Sequence, residues 1–394
     1  MPYEIVRFPY DGTVDADGHV LEPDWLWREY LEERYRPRAL QIRTDADGLE
    51  YLELDGRASE RTTKGVLGLL GAMGDLEVRR GPDRRYMDHI PFGGGDAKER
   101  IALLDRENLD QTVLYPTLGL LWECEVTDPE LTLAYQRAYN RWIADFCRDS
   151  GGRLVPVAHL SLFEPEKAAD ELRRAVADGC RGGWVAPFTH TRRPHGHPDH
   201  DPLYRAAVEL DVPIAIHPTY EPTFAMPFRF GFMGREREYF YNVMGRQGSQ
   251  QALLSFFTMG ALERFPELRL GVLEVGCGWI GSFLDRMDAV YETISAKGLP
   301  LRMPPSEYFR RQCFISGDPD EKAAPHIIDA VGAHCFVWAT DYPHPDHPGS
   351  WARSLERFVA PLSPATRAAV LGDNVRRIYQ IPLATRSSGA LRAG

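Results

Sequence analysis

Asp15-Ala-Asp17-Gly-His19-Val-Leu-Glu22 lies close to the N-terminus, and its spacing bears on the architecture of the whole chain. Small or apolar residues alternate with ligand-type residues, so a strand here sends Asp15, Asp17 and His19 to one side. Glu22 follows where that strand should end. Acids and a histidine at the C-terminal end of a strand are how a strand–helix barrel begins a metal site. The plainer reading of the same residues is a surface strand entering a helix, whose dipole favours acids at its start.

Three later segments weigh toward the metal. They are Ile214-Ala-Ile-His217-Pro-Thr, Leu270-Gly-Val-Leu-Glu274-Val-Gly-Cys-Gly-Trp279 and Phe336-Val-Trp-Ala-Thr340-Asp341-Tyr-Pro-His344-Pro. Each is an apolar run of strand length that carries His, Glu or Asp at its end and then breaks at Gly or Pro. Parallel strands buried on both faces read as such runs. A lone His ending a strand is usually a satisfied polar group, but four runs delivering ligand types at the same end form a pattern.

Between these runs, strand and helix signals alternate almost throughout. Further strands are expected at 111–116, 154–160, 182–186 and 313–316, and helices at 25–35, 96–108, 128–149, 165–178, 202–210, 248–264, 279–296, 321–331, 350–360 and 364–379. Eight strand–helix pairs predict an α/β fold, a (β/α)8 TIM barrel with an insertion after strand one. The domain is expected to span 1–381, with 38–95 as an insertion capping the barrel mouth and 382–394 as a disordered tail. Asp47-Gly48 between two apolar runs predicts a hairpin within the insertion. Gly65 to Gly74 reads either as a lid or as a contact between subunits. No GxGxxG follows the first strand and no phosphate-binding GxxxxGK[ST] occurs, so no organic cofactor site is expected.

The net charge of -11 argues against nucleic acid and anionic membranes as partners. The N-terminus lacks the basic and apolar regions of a secretory signal, and no apolar run is long enough to span a bilayer. The six cysteines form no CxxC pair and read as buried thiols in a cytoplasmic protein.

With ligand-type residues ending strands one, five, six and eight, the chain resembles the amidohydrolase-related family, also called amidohydrolase family 2. The resemblance runs from residue 15 to about 381. It includes Glu274-Val-Gly-Cys-Gly-Trp279, Tyr308-Phe-Arg-Arg-Gln-Cys-Phe-Ile-Ser316, Thr340-Asp-Tyr-Pro-His344 and Leu371-Gly-Asp-Asn-Val-Arg-Arg-Ile-Tyr379. It implies that the family's first-strand His-x-His falls on Asp17-Gly18-His19, its strand-five His on His217 and its strand-eight Asp on Asp341. Two departures stand out. The stretch Trp184-Val-Ala-Pro187 holds no Lys, and all five lysines lie elsewhere, which excludes the Lys-bridged metal pair of the wider superfamily. Glu274 stands where the family's decarboxylases usually carry His.

The candidate metal shell is therefore Asp17, His19, Glu22, His217, Glu274, Asp341 and His344, with Asp341, Glu274 and His344 as candidate catalytic residues. A set so rich in carboxylate suits iron or manganese, singly or as a pair. It resembles the non-haem diiron monooxygenase branch of this barrel, the platensimycin-type hydroxylases, many of which are expected to act on CoA-linked acids. On this first reading, two irons activate dioxygen and hydroxylate an apolar small-molecule acid. Aromatics of 220–247 (Tyr220, Phe224, Phe228, Phe230, Phe232, Tyr239, Phe240, Tyr241) would hold its body, and an electron donor serves as partner. The alternative is a mononuclear zinc or manganese decarboxylase or hydrolase of a carboxylate-bearing small molecule. There Asp341 would shuttle the proton, and Arg229, Arg235 or Arg237 would pair with the carboxylate. In a third reading, the barrel keeps its metal for folding alone, but a shell this complete speaks against it. A homo-oligomer is expected throughout. The plainer role for Glu22 is an acid at a helix start, and for His344 a partner of Asp341.

Overall fold

The computed structural model describes residues 3–225 and 236–384. Strand β1 (Thr13–Val20) is followed by an antiparallel sheet of β2 (Gln41–Thr44), β3 (Glu50–Leu54) and β4 (Arg57–Ala58). The barrel resumes with β5 (Leu109–Pro116), β6 (Leu154–Pro156), β7 (Ala158–Leu160), β8 (Gly183–Val185), β9 (Ile214–Ile216), β10 (Leu270–Val272), β11 (Cys313–Gly317) and β12 (Phe336–Trp338). All barrel pairings are parallel, in the order β1-β5-β6 and β7-β8-β9-β10-β11-β12. Strands β6 and β7 are one run broken at Val157, so the two sheets are continuous along the chain. The seam between first and last strands carries backbone bonds just past β12: Asp341 N–H to Asp17 O at 2.9 Å and His19 N–H to Tyr342 O at 2.8 Å. This is a TIM barrel, as the alternation of runs predicts.

Every one of the eight runs contributes to one buried cluster, which includes Val14, Ala16, Val113, Tyr115, Val155, Val157, Trp184, Ala215, Leu273, Phe314 and Val337. That cluster fills the barrel. Gly271 is required within it, since a Cβ there would stand 2.3 Å from the Phe314 ring. A much larger cluster joins the outer faces of the strands to the surrounding helices.

Among the described residues, the helices of eight residues or more are α1 (Ala97–Glu107), α2 (Pro129–Cys147), α3 (Pro165–Ala177), α4 (Asp201–Glu209), α5 (Glu236–Met244), α6 (Arg246–Thr258), α7 (Ile280–Tyr291), α8 (Pro305–Gln312), α9 (Ala324–Val331) and α10 (Trp351–Val359). Their starts follow local chemistry. Asp96 accepts from Lys98 N and Glu99 N to open α1, and Asp128 does the same for α2, with Pro129 at its first position.

The helix expected over 25–35 is broken. A single turn covers Leu26–Glu29, and a 3-10 segment covers Glu33–Arg38. Glu32 between them is extended (ψ 141°), which delivers its carboxylate to Arg137 at 2.6 Å and Arg141 at 3.0 Å on α2. Half-buried ion pairing there outweighs the helical periodicity. The last expected helix is likewise divided at a wide π turn over Ala369–Asp373, where Gly372 admits the Gly12 carbonyl.

The stretch Gly65 to Gly74 packs inward, with Leu67 and Met73 buried, and Met73 N–H bonds to Pro343 O at 3.2 Å. It thus lies against the loop that follows Asp341. All six cysteines are buried and free. No helix among the described residues is long and apolar enough to cross a membrane. The tail beyond 384 lies outside the described residues.

Candidate metal centre

The register of β1 against β5 shifts between Asp15 and Gly18. That irregularity separates Asp15 from its expected companions. Its carboxylate accepts from Thr340 N at 2.9 Å, Thr340 Oγ1 at 2.6 Å and Thr112 Oγ1 at 3.2 Å. Asp15 therefore ties β1 to the end of β12, while Asp17 and His19 converge with His217, Glu274 and Asp341. Gly18 permits the shift, since a Cβ there would meet Thr112 Oγ1 at 2.5 Å.

The two histidines are oriented by carbonyls. His19 Nδ1 lies 2.7 Å from Pro116 O, and His217 Nδ1 lies 2.7 Å from Pro218 O. A carbonyl only accepts, so each neutral ring carries its proton on Nδ1 and presents a lone pair at Nε2. His19 Nε2 is 3.4 Å from Asp17 Oδ1 and 3.0 Å from Asp341 Oδ1. His217 Nε2 is 3.4 Å from Asp17 Oδ2 and 3.2 Å from Glu274 Oε2. With neutral rings these are acceptors facing acceptors. Both Asp17 oxygens and both Nε2 atoms are buried with no hydrogen-bond partner among the described residues, and Asp341 Oδ2 has the His347 ring 3.3 Å away.

Such a cluster is costly unless a cation lies within it. Donor atoms bound at about 2.1 Å to one divalent ion stand about 3.0–3.4 Å apart, which is the spacing found here. Asp17, His19 and His217 bring one ligand atom each within 4.8 Å of one another, as do His19, Asp341 and His344. Two imidazoles and the Asp17 carboxylate thus suit a single divalent ion, with Asp341 Oδ1 beside them at 3.0 Å from His19 Nε2.

The protonation pattern shows the same lack of positive charge. Burial pushes the Glu274 carboxyl well up, and the neighbouring Asp341 adds to it. Burial likewise raises Asp341, although His347 opposes the rise. Burial works against the Asp17 carboxylate too, and it is held down at about 2 only by second protons on His217 and His19, in place of a cation. Burial drives His344 well below its usual range, helped by repulsion from His19, His217 and His347.

Two expected ligands have other duties. Glu22 is not free to bind a metal: it accepts from Thr117 N at 3.0 Å, Leu118 N at 2.8 Å and Gly119 N at 2.9 Å. It caps the short helix Gly119–Trp122 that follows β5, which satisfies both of its oxygens. Placing it in the metal shell is corrected on that ground. His344 has both nitrogens engaged, Nδ1 with Asp341 Oδ1 at 2.9 Å and Nε2 with Thr117 Oγ1 at 3.0 Å. Its ring lies 4.0 Å from that of His19, where it orients Asp341.

One residue of the site escaped the sequence reading. His347 Nε2 is 3.3 Å from Asp341 Oδ2. Burial lowers its pKa, but Asp341, Asp346 and Asp318 together raise it to about 9. The crowded Pro343-His344-Pro-Asp346-His347 segment was its signal. Among the pocket aromatics, Tyr241 OH bonds to Thr219 O at 3.2 Å and Tyr239 is exposed. Phe228, Phe230, Phe232, Arg229 and Arg235 lie outside the described residues, as does the side chain of Arg237.

The profile of a family described as Amidohydrolase matches residues 14–381. A gamma-resorcylate decarboxylase from Rhodococcus jostii (strain RHA1) is 22% identical over 312 residues, 72% of this chain and 87% of its own length. An amidohydrolase from Mycobacterium avium subsp. paratuberculosis K-10 superposes with a TM-score of 0.80 at 19% identity, covering 95% of this chain and 99% of that one. A 5-carboxyvanillate decarboxylase from Novosphingobium aromaticivorans DSM 12444 superposes with a TM-score of 0.66 at 18% identity, over 97% and 100% of the two chains. That structure holds manganese and 4-hydroxy-3-methoxy-5-nitrobenzoic acid. At these identities the solved structures show the shared fold.

Proposed function

The chain belongs to the amidohydrolase family, and from that premise we propose that it is a metal-dependent carboxy-lyase acting on a carboxylated aromatic small molecule. The observation that carries this reading is the convergence of partnerless acceptor atoms on Asp17, His19 and His217, with the Asp341 carboxylate beside His19. Decarboxylases among the relatives favour it over oxygenation, and manganese in one of them favours that ion.

Asp17, His19, His217 and Asp341 would hold the divalent ion, which supplies a positive charge to bind the substrate's carboxylate and an adjacent oxygen. Glu274, whose Oε2 lies 3.2 Å from His217 Nε2 beside the centre, would enter the reaction protonated and act as its proton donor. Its proton passes to the ring carbon that carries the carboxylate. The carbon–carbon bond then breaks, carbon dioxide leaves, and the bond's electron pair restores the ring. Glu274 is left as a carboxylate and regains its proton from solvent. His344 and His347 fix Asp341 from its two oxygens and keep it oriented.

A second reading keeps a specific observation. Glu274, Asp341, His344 and Asp346 also bring one ligand atom each within 4.8 Å of one another. A second ion there would make a dinuclear, oxygen-activating centre.

One experiment separates the two. The protein is purified without added metal, its metal content is measured, and it is assayed with manganese under nitrogen against 2,6-dihydroxybenzoate and 5-carboxyvanillate. Carbon dioxide release in the absence of oxygen, with one metal per chain, is expected. Two irons per chain with strictly oxygen-dependent turnover would replace the carboxy-lyase with the oxygenase.

A further inference from the structure

Outside the metal centre, the loops that follow β8 and β9 border an open cavity of about 540 Å³ against α6. That volume is of the size that takes small organic ligands. None of the candidate metal ligands lines it. Its interior is apolar in part, with Phe188, Ala252 and Leu254 on the wall, and it also holds two charged groups that the proposed reaction does not use.

The first is Glu221, which is 2% exposed. Its Oε2 has no hydrogen-bond partner among the described residues, and no ion pair holds it there. Gly248 makes room for the carboxyl, since a Cβ at 248 would stand 2.1 Å from Glu221 Oε1. Burial raises its pKa to about 7, and Arg61 only partly offsets that rise. A buried acid left without a donor costs stability, so its presence at a cavity wall calls for a ligand that donates to it.

The second is Arg192, on the exposed rim. It makes no ion pair among the described residues, and its guanidinium lies over the Phe224 ring at 4.4 Å. Its backbone is left-handed, at φ 57°, a conformation uncommon for a long side chain. Neighbouring Arg193 differs, being paired with Asp199 at 3.1 Å.

We propose that this cavity binds a small molecule with an apolar, ring-sized body, a hydrogen-bond donor that meets Glu221 and an anionic group that meets Arg192. Two sources share that chemistry: the far end of the substrate, or a separate effector. Binding is read independently of turnover, so the inference does not stand or fall with the carboxy-lyase reading.

The probe is 4-(aminomethyl)benzenesulfonate, with benzenesulfonate and benzylamine as controls that lack the donor and the anion. Calorimetric titration into the manganese-loaded protein should give the full probe an affinity at least tenfold above either control. Arg192→Gln should weaken both sulfonates about tenfold and leave benzylamine unchanged. Glu221→Gln should weaken both amines about tenfold and leave benzenesulfonate unchanged. Because Glu221 is buried, thermal melts check folding, and Arg192→Gln on the rim carries the test should Glu221→Gln not fold. Asp17→Asn, which removes a candidate metal ligand, should leave the probe's Kd unchanged. Competition with 4-hydroxy-3-methoxy-5-nitrobenzoic acid would mark the cavity as the far end of the substrate site, and simultaneous binding would mark a separate effector site. No saturable binding of any of the three compounds, or an unchanged Kd in folded Arg192→Gln, overturns the proposal.

Discussion

Glu274 and Asp341 share one backbone property: φ is 48° at the first and 56° at the second, and their carboxylate oxygens lie within 4.8 Å of one another. Non-glycine residues in the left-handed region cost of order 1 kcal/mol or more and persist where the surroundings enforce them. Both residues end an apolar run at the same mouth of the barrel.

Glu274→Gly removes that strain together with a buried carboxyl. The variant should be more stable than the parent by about 1 kcal/mol in urea unfolding of metal-free protein, while turnover is abolished. A loss of stability of that size would show that the Glu274 side chain supports the fold.

Asp17→Asn replaces a carboxylate that faces both imidazoles. Manganese affinity should fall by more than about 100-fold, beyond the 10–100-fold typical of groups that merely orient a ligand. Elemental analysis after dialysis should show the parent retaining its ion and the variant losing it. Added manganese should raise the melting temperature of the parent but not of the variant.

Asp15→Ala should destabilise without touching metal binding. The substitution strands Thr340 N–H and two hydroxyls in a buried seam. A cost of about 2–4 kcal/mol follows from leaving such donors unmet. Urea unfolding measures it, and a cost below about 1 kcal/mol would show that the Thr340 bonds do not hold the seam.

Glu107 gives the fold a pH dependence away from the site. Burial, against the opposing hydrogen bond from Tyr3, raises its carboxyl to about 8, compared with an ordinary 4.5. The folded state therefore holds this proton after the unfolded chain has released it. Its contribution is fully present below about pH 4.5 and is lost as pH rises through about 8, a change of a few kcal/mol. Glu107→Gln, a neutral stand-in for the protonated acid, should flatten stability across that window. Parent and variant with parallel profiles would remove Glu107 as the cause.

The strand order was legible because each barrel strand is an apolar run ended by a ligand-type residue and a break. His217, Glu274 and Asp341 come together as those runs foretell. What failed was the assignment of partners across the chain. Nothing near Glu22 in sequence shows that the amides of Thr117, Leu118 and Gly119 will close on it, and strict alternation hides the register shift that takes Asp15 away from Asp17. The helix expected at 25–35 failed for the same reason, since Arg137 and Arg141 draw Glu32 out of it from a distant helix. A dinuclear oxygenase is suggested by Glu274, Glu22 and His344 together. With Glu22 committed to a helix start and His344 to Asp341, fewer ligands face the ion. His347 was passed over because it falls after the run's break, where no periodicity marks it.

The seam beside the metal centre has a consequence for how the protein is made. Asp15 and Thr340, 325 residues apart, meet across it, and Asp17 and Asp341 follow immediately on either side. At about 5–20 residues per second of synthesis, one half of the ligand set waits on the ribosome for many seconds before the other half exists. A nascent chain halted before its eighth barrel strand lacks Asp341 and the Thr340 groups that hold Asp15, so the proposed centre is completed only when that strand closes the seam.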